Sequence, residues 1–183
     1  IADAQLYATS NPEDDGAVVA FMNPGGIRAD LVYDQLSGGE LPGQVTYGEA
    51  FSVQPFGNNL VTMTLNGTQI DALLEQQFDN PSPESKRILQ VSKGFSYTWN
   101  ESAPTGEKVN ISSIKINGTS TDPSSSYRVT VNGFLADGGD NFSVIKAGTD
   151  RKVGSSDLDA FVNYLAVFSP LTPGPENRIG LEK

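Results

Sequence analysis

The segment 132–140 carries the residues whose types and spacing best suit the binding of a small molecule. Phe134 supplies a flat apolar face, and Asp140 supplies a carboxylate six residues later. Gly138 and Gly139 let the backbone turn sharply or approach a ligand closely. An aromatic ring beside a carboxylate suits a nucleoside, whose base stacks and whose sugar hydroxyls donate hydrogen bonds. The simpler alternative is a core phenylalanine that precedes an Asp-Gly turn.

Two further glycine-containing loops offer complementary groups. The loop 23–28, Asn-Pro-Gly-Gly-Ile-Arg, follows an apolar run, and its glycines would expose backbone N–H groups beside Arg28. Such an arrangement binds anions. The loop 54–58 places Phe56 next to a glycine just before a predicted strand. Each loop alone is compatible with an ordinary turn, but together the three would form one cleft in which two rings sandwich a base.

Two residue types are absent from the chain, and their absence excludes several kinds of active site. Without cysteine there are no disulfides, thiolate metal sites or thiol nucleophiles. Without histidine the imidazole general base and the commonest transition-metal ligand are missing. A Ser-His-Asp triad is therefore excluded, and we expect no zinc or two-metal hydrolase site. The composition favours a chain that binds its ligand and carries no catalytic residue.

Length and charge narrow the class of protein further. The 183 residues suffice for one domain with a substantial core, and we predict a single domain over 1–183. The net charge of −10 disfavours nucleic acid and anionic membranes as partners. No stretch approaches the roughly 18 apolar residues of a membrane span. Because the chain opens on a helix-like segment without Met, we expect it to be a fragment of a longer protein.

The sequence predicts elements that place the three loops at the ends of strands. Thr68 with Asp71 resembles a capping pair at the start of one helix, and Pro81 and Pro83 would end that helix. Because strands outnumber helices and do not alternate with them, we expect an α+β fold, a mixed β-sheet with helices packed on it. We predict helices at 1–9, after Asn66-Gly67 and after Ser156, strands at 17–21, 59–65, 87–99 (with a bulge near Gly94), 111–116 and 127–131, and a surface excursion at 31–44.

Five stretches of the chain resemble, in order, the C-terminal domain of the 5′-nucleotidase family. That family includes bacterial UDP-sugar hydrolases, 2′,3′-cyclic-nucleotide phosphodiesterases and animal ecto-5′-nucleotidases. The stretches span most of the chain, and the resemblance implies the fold of that domain. They are NPGGIR at 23–28, YGEAFSVQPFGNNLV at 47–61, LNGTQIDALLEQ at 65–76, ILQVSKGFSYTW at 88–99 and YRVTVNGFLADGGDNF at 127–142.

The resemblance also implies roles for individual residues. Phe56 and Phe134 match the aromatic clamp on the base, and Asp140 matches the acceptor for ribose hydroxyls. Arg28 matches an arginine that contacts phosphate, and Asn23 matches a polar contact to the nucleoside. The remaining matches would lend backbone contacts or line the base pocket: Gly25, Gly26, Asn58 and Gly94.

In that family a separate N-terminal metallophosphoesterase domain holds two divalent metal ions and performs the hydrolysis. The resemblance therefore implies that this chain is the nucleotide- or nucleoside-binding domain of a secreted, periplasmic or cell-wall 5′-nucleotidase-type phosphohydrolase. It would contain no catalytic residue, metal or cofactor of its own and would be inactive alone. The alternatives are a non-catalytic nucleotide-binding or cell-surface module, or a parent enzyme specific for 2′,3′-cyclic nucleotides or UDP-sugars.

Overall fold

The computed structural model describes residues 1–13, 16–80, 82 and 85–182. Within these ranges the chain forms two β-sheets with helices packed against them, which confirms the α+β class. The helices are α1 (Ala2–Thr9), α2 (Tyr47–Val53), α3 (Gly67–Glu75), α4 (Gly133–Ala136) and α5 (Asp157–Phe168). The strands are β1 (Val19–Met22), β2 (Asn59–Asn66), β3 (Gln90–Val91), β4 (Phe95–Asn100), β5 (Lys115–Ile116), β6 (Thr119–Ser120), β7 (Ser126–Asn132), β8 (Thr149–Ser156) and β9 (Ile179–Glu182).

The larger sheet is mixed, and its strand directions bring the three glycine loops to one edge. Its strand order is β3-β1-β7-β2-β8. Because β1 and β7 are parallel, the loops that follow them leave the sheet on the same side. β2 is antiparallel to β7 and β3 is antiparallel to β1, so the segments that precede β2 and β3 reach that side as well. Four chain segments therefore meet at one end of the sheet, where β1 and β7 finish and β2 and β3 begin.

Two apolar clusters hold this arrangement in place. The main core combines side chains from both sheets and from α3, among them the fully buried Phe21, Val61, Leu73 and Phe95. A second cluster joins α1, α2 and α5 around Phe161. All four residues of β1 are buried, which is expected for a strand covered on both faces. The loops therefore leave the sheet at the ends of strands that are packed on both faces.

The start of α3 differs from the prediction. Its cap is Asn66, whose Oδ1 accepts from the Gln69 N–H at 2.8 Å, while Gln69 Oε1 accepts from the Asn66 N–H at 2.8 Å. The predicted Thr68–Asp71 pair is wrong because the strand β2 ends directly at Asn66, a strong cap residue. The predicted stop at Pro81 and Pro83 lies outside the described residues.

The segment 87–99 is not one extended strand. It divides at Gly94, whose φ of 90° turns the chain, and β3 and β4 on either side belong to different sheets. The predicted strand 111–116 is mostly a 3₁₀ turn followed by the short β5. The other predicted helices and strands are confirmed to within a few residues, and the excursion 31–44 forms turns at the surface.

Candidate functional site

A cleft of about 570 Å³ opens at the edge where the four segments meet. The structure brings together in it every predicted site residue except Gly94. Because β3 is antiparallel to β1, the turn after β3 that contains Gly94 lies at the opposite end of these strands, where it contacts Asn117. The cleft is lined by Asn23, Pro24, Gly25, Gly26, Arg28, Phe56, Asn58, Arg87, Asn132, Phe134 and Asp140.

Two phenylalanine rings are exposed in the cleft. Phe56 is 59% exposed and Phe134 is 46% exposed, so each presents apolar area to the cleft. Phe134 is positioned by the start of α4, where the Asn132 side chain accepts from the Leu135 N–H at 2.9 Å. Its ring rests on Gly139, where an added Cβ would lie 2.5 Å from ring atom Cε1. A side chain at position 139 would therefore displace the Phe134 ring from this place.

A hydrogen-bonded network fixes the carboxylate of Asp140. Its Oδ2 accepts from Asn23 Nδ2 at 3.1 Å, and its Oδ1 pairs with the guanidinium of Arg87. Asn23 in turn accepts from Asn132 Nδ2 at 2.9 Å. Asp140 adopts a left-handed φ of 52°, and its carbonyl oxygen accepts from the side chain of Asn80. Backbone and side chain are thus both held, with the carboxylate at the cleft wall.

No local signal in the sequence points to Arg87. It stands before a short strand, outside any glycine loop or recognised motif. The antiparallel pairing of β3 with β1 leads the chain to the cleft just after Arg87, and that pairing joins residues far apart in the chain. Arg87 is the cleft's second cation beside Arg28 among the lining residues.

Arg28 lines the cleft and is exposed. Its Nη1 donates to the Gly25 carbonyl at 3.3 Å, and its guanidinium carbon lies 5.9 Å from the centroid of the Phe56 ring. The loop itself is a 3₁₀ turn in which the Gly26 N–H donates to the Asn23 carbonyl at 3.1 Å. Gly26 consequently does not offer its N–H to an anion, contrary to the prediction, because the turn already uses it.

Asn58 connects the cleft to the start of α5. Its carbonyl accepts from the Asp157 N–H at 2.8 Å. Burial raises the pKa of the Asp157 carboxyl, and a hydrogen bond from the Asn58 side chain offsets part of that rise. Asp157 is 2% exposed, and its Oδ1 has no hydrogen-bond partner within the described part of the chain. Hydrogen bonds to the buried Asp157 therefore hold Asn58 in place.

The described residues that line the cleft can bind and orient a ligand but include no pair of nucleophile and general base. Over the described ranges, no three His, Cys, Asp or Glu side chains lie close enough together to share a metal ion. No helix in the same ranges has the length and apolar character that crossing a bilayer requires. Two exposed aromatic rings, a fixed carboxylate and an exposed arginine are instead groups that can contact a planar apolar ring, hydroxyl groups and an anion.

The chain matches a family model described as the C-terminal domain of 5′-nucleotidase over residues 1–147. The chain belongs to this family. It is 33% identical over 166 residues to the cell wall protein Lmo0130 of Listeria monocytogenes, covering 90% of this chain and 20% of that protein. It is 31% identical over 185 residues to an apyrase of Tabanus yao, covering 94% of this chain and 32% of that protein.

A solved structure supports the same 5′-nucleotidase fold. The 5′-nucleotidase precursor of Thermus thermophilus superposes with a TM-score of 0.82 at 35% identity. The match covers 98% of this chain and 34% of that chain. The present chain thus spans about a third or less of the length of these 5′-nucleotidase relatives. The predicted fold and the family resemblance are both confirmed.

Proposed function

We propose that this chain is the nucleotide-binding domain of a 5′-nucleotidase-type phosphohydrolase. Phe56 and Phe134 would hold the base between their rings. Asp140 would accept hydrogen bonds from the ribose hydroxyls, and Arg28 would contact the phosphate. Asn23 and Asn58 would complete the polar wall around the nucleoside.

The exposure of the two phenylalanine rings in one cleft carries this proposal. Neither ring stacks on another aromatic ring within the described residues, and the protein groups that do lie against them are the Arg28 guanidinium beside Phe56 and Gly139 beside Phe134. Stacking of a base on an aromatic ring is worth roughly 1–3 kcal/mol and tolerates different bases. We therefore expect the clamp to accept purines and pyrimidines.

Hydrolysis would occur on a companion domain. The described cleft residues fit no metal ion, because Asp140 is the single carboxylate among them and is already paired with Arg87. An N-terminal metallophosphoesterase domain with two divalent metal ions would activate water and neutralise the phosphate charge. The present domain would supply binding and orientation of the nucleotide, and closure of one domain on the other would complete the site.

The relatives support a location outside the cytoplasm. One is named a cell wall protein, and the chain matches it over 90% of its own length. We propose that the parent protein is secreted, periplasmic or attached to the cell wall. Secretion would place the enzyme where extracellular nucleotides are available.

Titration of the chain with AMP and adenosine tests the proposal. We expect saturable binding by the wild type and a loss of at least about fivefold in affinity for Phe56→Ala and for Phe134→Ala, because each removes one stacking face. Phe51→Ala is the matched control, since Phe51 is 48% exposed but does not line the cleft. Unchanged affinity in both cleft variants would refute the clamp.

A further inference from the structure

The carboxylate of Asp140 has two of its acceptor positions occupied by the protein. An ionised carboxylate offers about four lone-pair positions, two on each oxygen. Arg87 takes one on Oδ1, and Asn23 takes one on Oδ2 at 3.1 Å. Counting partners from the described part of the chain, one acceptor position remains on each oxygen, and Asp140 lines the cleft. Two neighbouring acceptors at a fixed spacing are complementary to two neighbouring hydroxyl groups.

The two donors that hold Asp140 come from different parts of the fold. Asn23 is 3% exposed and is itself held by Asn132, so it belongs to the rigid end of the sheet. Arg87 approaches from the segment before β3, where its N–H donates to the Gln77 carbonyl at 2.8 Å. A single donor would leave the carboxylate free to rotate about its last bond. The planar guanidinium on the other oxygen removes that freedom.

We propose that Arg87 is a positioning residue that makes the cleft select a vicinal diol, and hence ribonucleosides over 2′- and 3′-deoxynucleosides. The inference rests on the proposed function, because it concerns the sugar of the same nucleoside. A deoxy sugar leaves one oriented acceptor without a donor in a partly desolvated wall, which is unfavourable. If the carboxylate can rotate, it adapts to a single hydroxyl, and this discrimination falls.

Titration with adenosine, 2′-deoxyadenosine and 3′-deoxyadenosine tests the inference. In the wild type we expect adenosine to bind about tenfold more tightly than either deoxynucleoside. In Arg87→Met we expect the ratio to fall below about threefold, with the affinity for the deoxynucleosides little changed. The matched control is Arg151→Met, because Arg151 pairs with Asp137 at 2.7 Å and does not line the cleft. Its ratio should equal that of the wild type.

Several results of these titrations would contradict the positioning role of Arg87. An Arg87→Met variant that keeps the wild-type ratio, or weakens all three nucleosides equally, would overturn the positioning role. A rise in adenosine affinity would also overturn it, because Arg87 would then compete with the sugar for Asp140. Arg87→Lys, which retains a donor, should give an intermediate ratio; a value outside that interval contradicts the inference. If the wild type bound no nucleoside, the proposed function itself would fail together with the inference.

Discussion

Arg87 and Asp140 are 53 positions apart in the sequence and form an ion pair at the wall of the cleft. The pair exists because β3 runs antiparallel to β1 and so delivers Arg87 to the edge where β7 ends. The ion pair joins the segment before β3, which carries no recognisable motif, to the glycine-containing loop 132–140. The charge balance of the cleft therefore depends on sheet topology as well as on the glycine loops.

Gly139→Ala should displace the ring of Phe134. The added Cβ would lie within 2.6 Å of three ring atoms, closer than any normal contact. Because Phe134 is partly exposed, its ring can move toward solvent, so we expect weaker adenosine binding, by about fivefold or more, with little loss of stability. Titration and thermal unfolding measure the two effects.

Gly154→Ala serves as the control for that substitution. A Cβ at Gly154 meets only the Leu60 carbonyl oxygen, at an ordinary contact distance of 3.7 Å. Its adenosine affinity should match the wild type. Equal affinities for both alanine variants would show that Phe134 does not bind the base.

The ion pair between Asp3 and Arg178 should make stability depend on pH. Burial acts to raise the pKa of Asp3, but hydrogen bonds from Arg178 and from the Lys93 N–H outweigh it, and the pKa is lowered from 3.8. A lowered carboxyl pKa contributes stability above the unfolded value, and this contribution is lost as the pH falls through the folded value. Asp3→Asn should cost about 1–3 kcal/mol in the free energy of unfolding at pH 7.

Denaturant unfolding at pH 7 and at pH 2 measures this contribution. At pH 2 the difference between wild type and Asp3→Asn should shrink. Asp137→Asn is the control, because its pair with Arg151 is exposed and should contribute less than about 1 kcal/mol. A constant difference across the pH range would contradict the assigned role of the charge.

The carboxyl of Asp157 should make stability fall as the pH rises, which is the opposite of the dependence expected for Asp3. Burial raises its pKa, so the penalty for ionising it is absent below the unfolded pKa of about 3.8 and grows as the pH rises through the folded value. Asp157→Asn removes the buried charge and should increase the free energy of unfolding at pH 7 while leaving it unchanged at pH 3. Asp159→Asn, which removes an exposed acid from the same helix turn, should change stability by less than about 1 kcal/mol. A less stable Asp157→Asn at pH 7 would contradict this account.

The sequence predicted those elements whose signals are local. The apolar run of β1, the alternation in β2 and the β-branched residues of β7 each identify a strand within a few positions. The loops at their ends combine glycine with an aromatic or charged residue, and these supplied most of the cleft. At these places the residues that favour the strand or the turn lie next to one another in the chain, so the sequence alone indicates the structure.

The elements that were missed depend on distant partners. β8 is almost entirely exposed and polar, so it shows no apolar alternation, and it forms only because β2 offers a free edge. β9 is a short strand that pairs with β4, far from it in the chain. The misplacement of Gly94 and the omission of Arg87 have one cause: both depend on the direction of β3, which the sequence does not reveal.

A crystal structure of the chain soaked or grown with AMP tests most directly whether the two rings hold a base. We predict that the adenine lies between Phe56 and Phe134, that the ribose hydroxyls contact Asp140, and that the phosphate points toward Arg28. Density for the nucleotide at another surface, or adenine in the cleft with neither ring against it, would contradict the account.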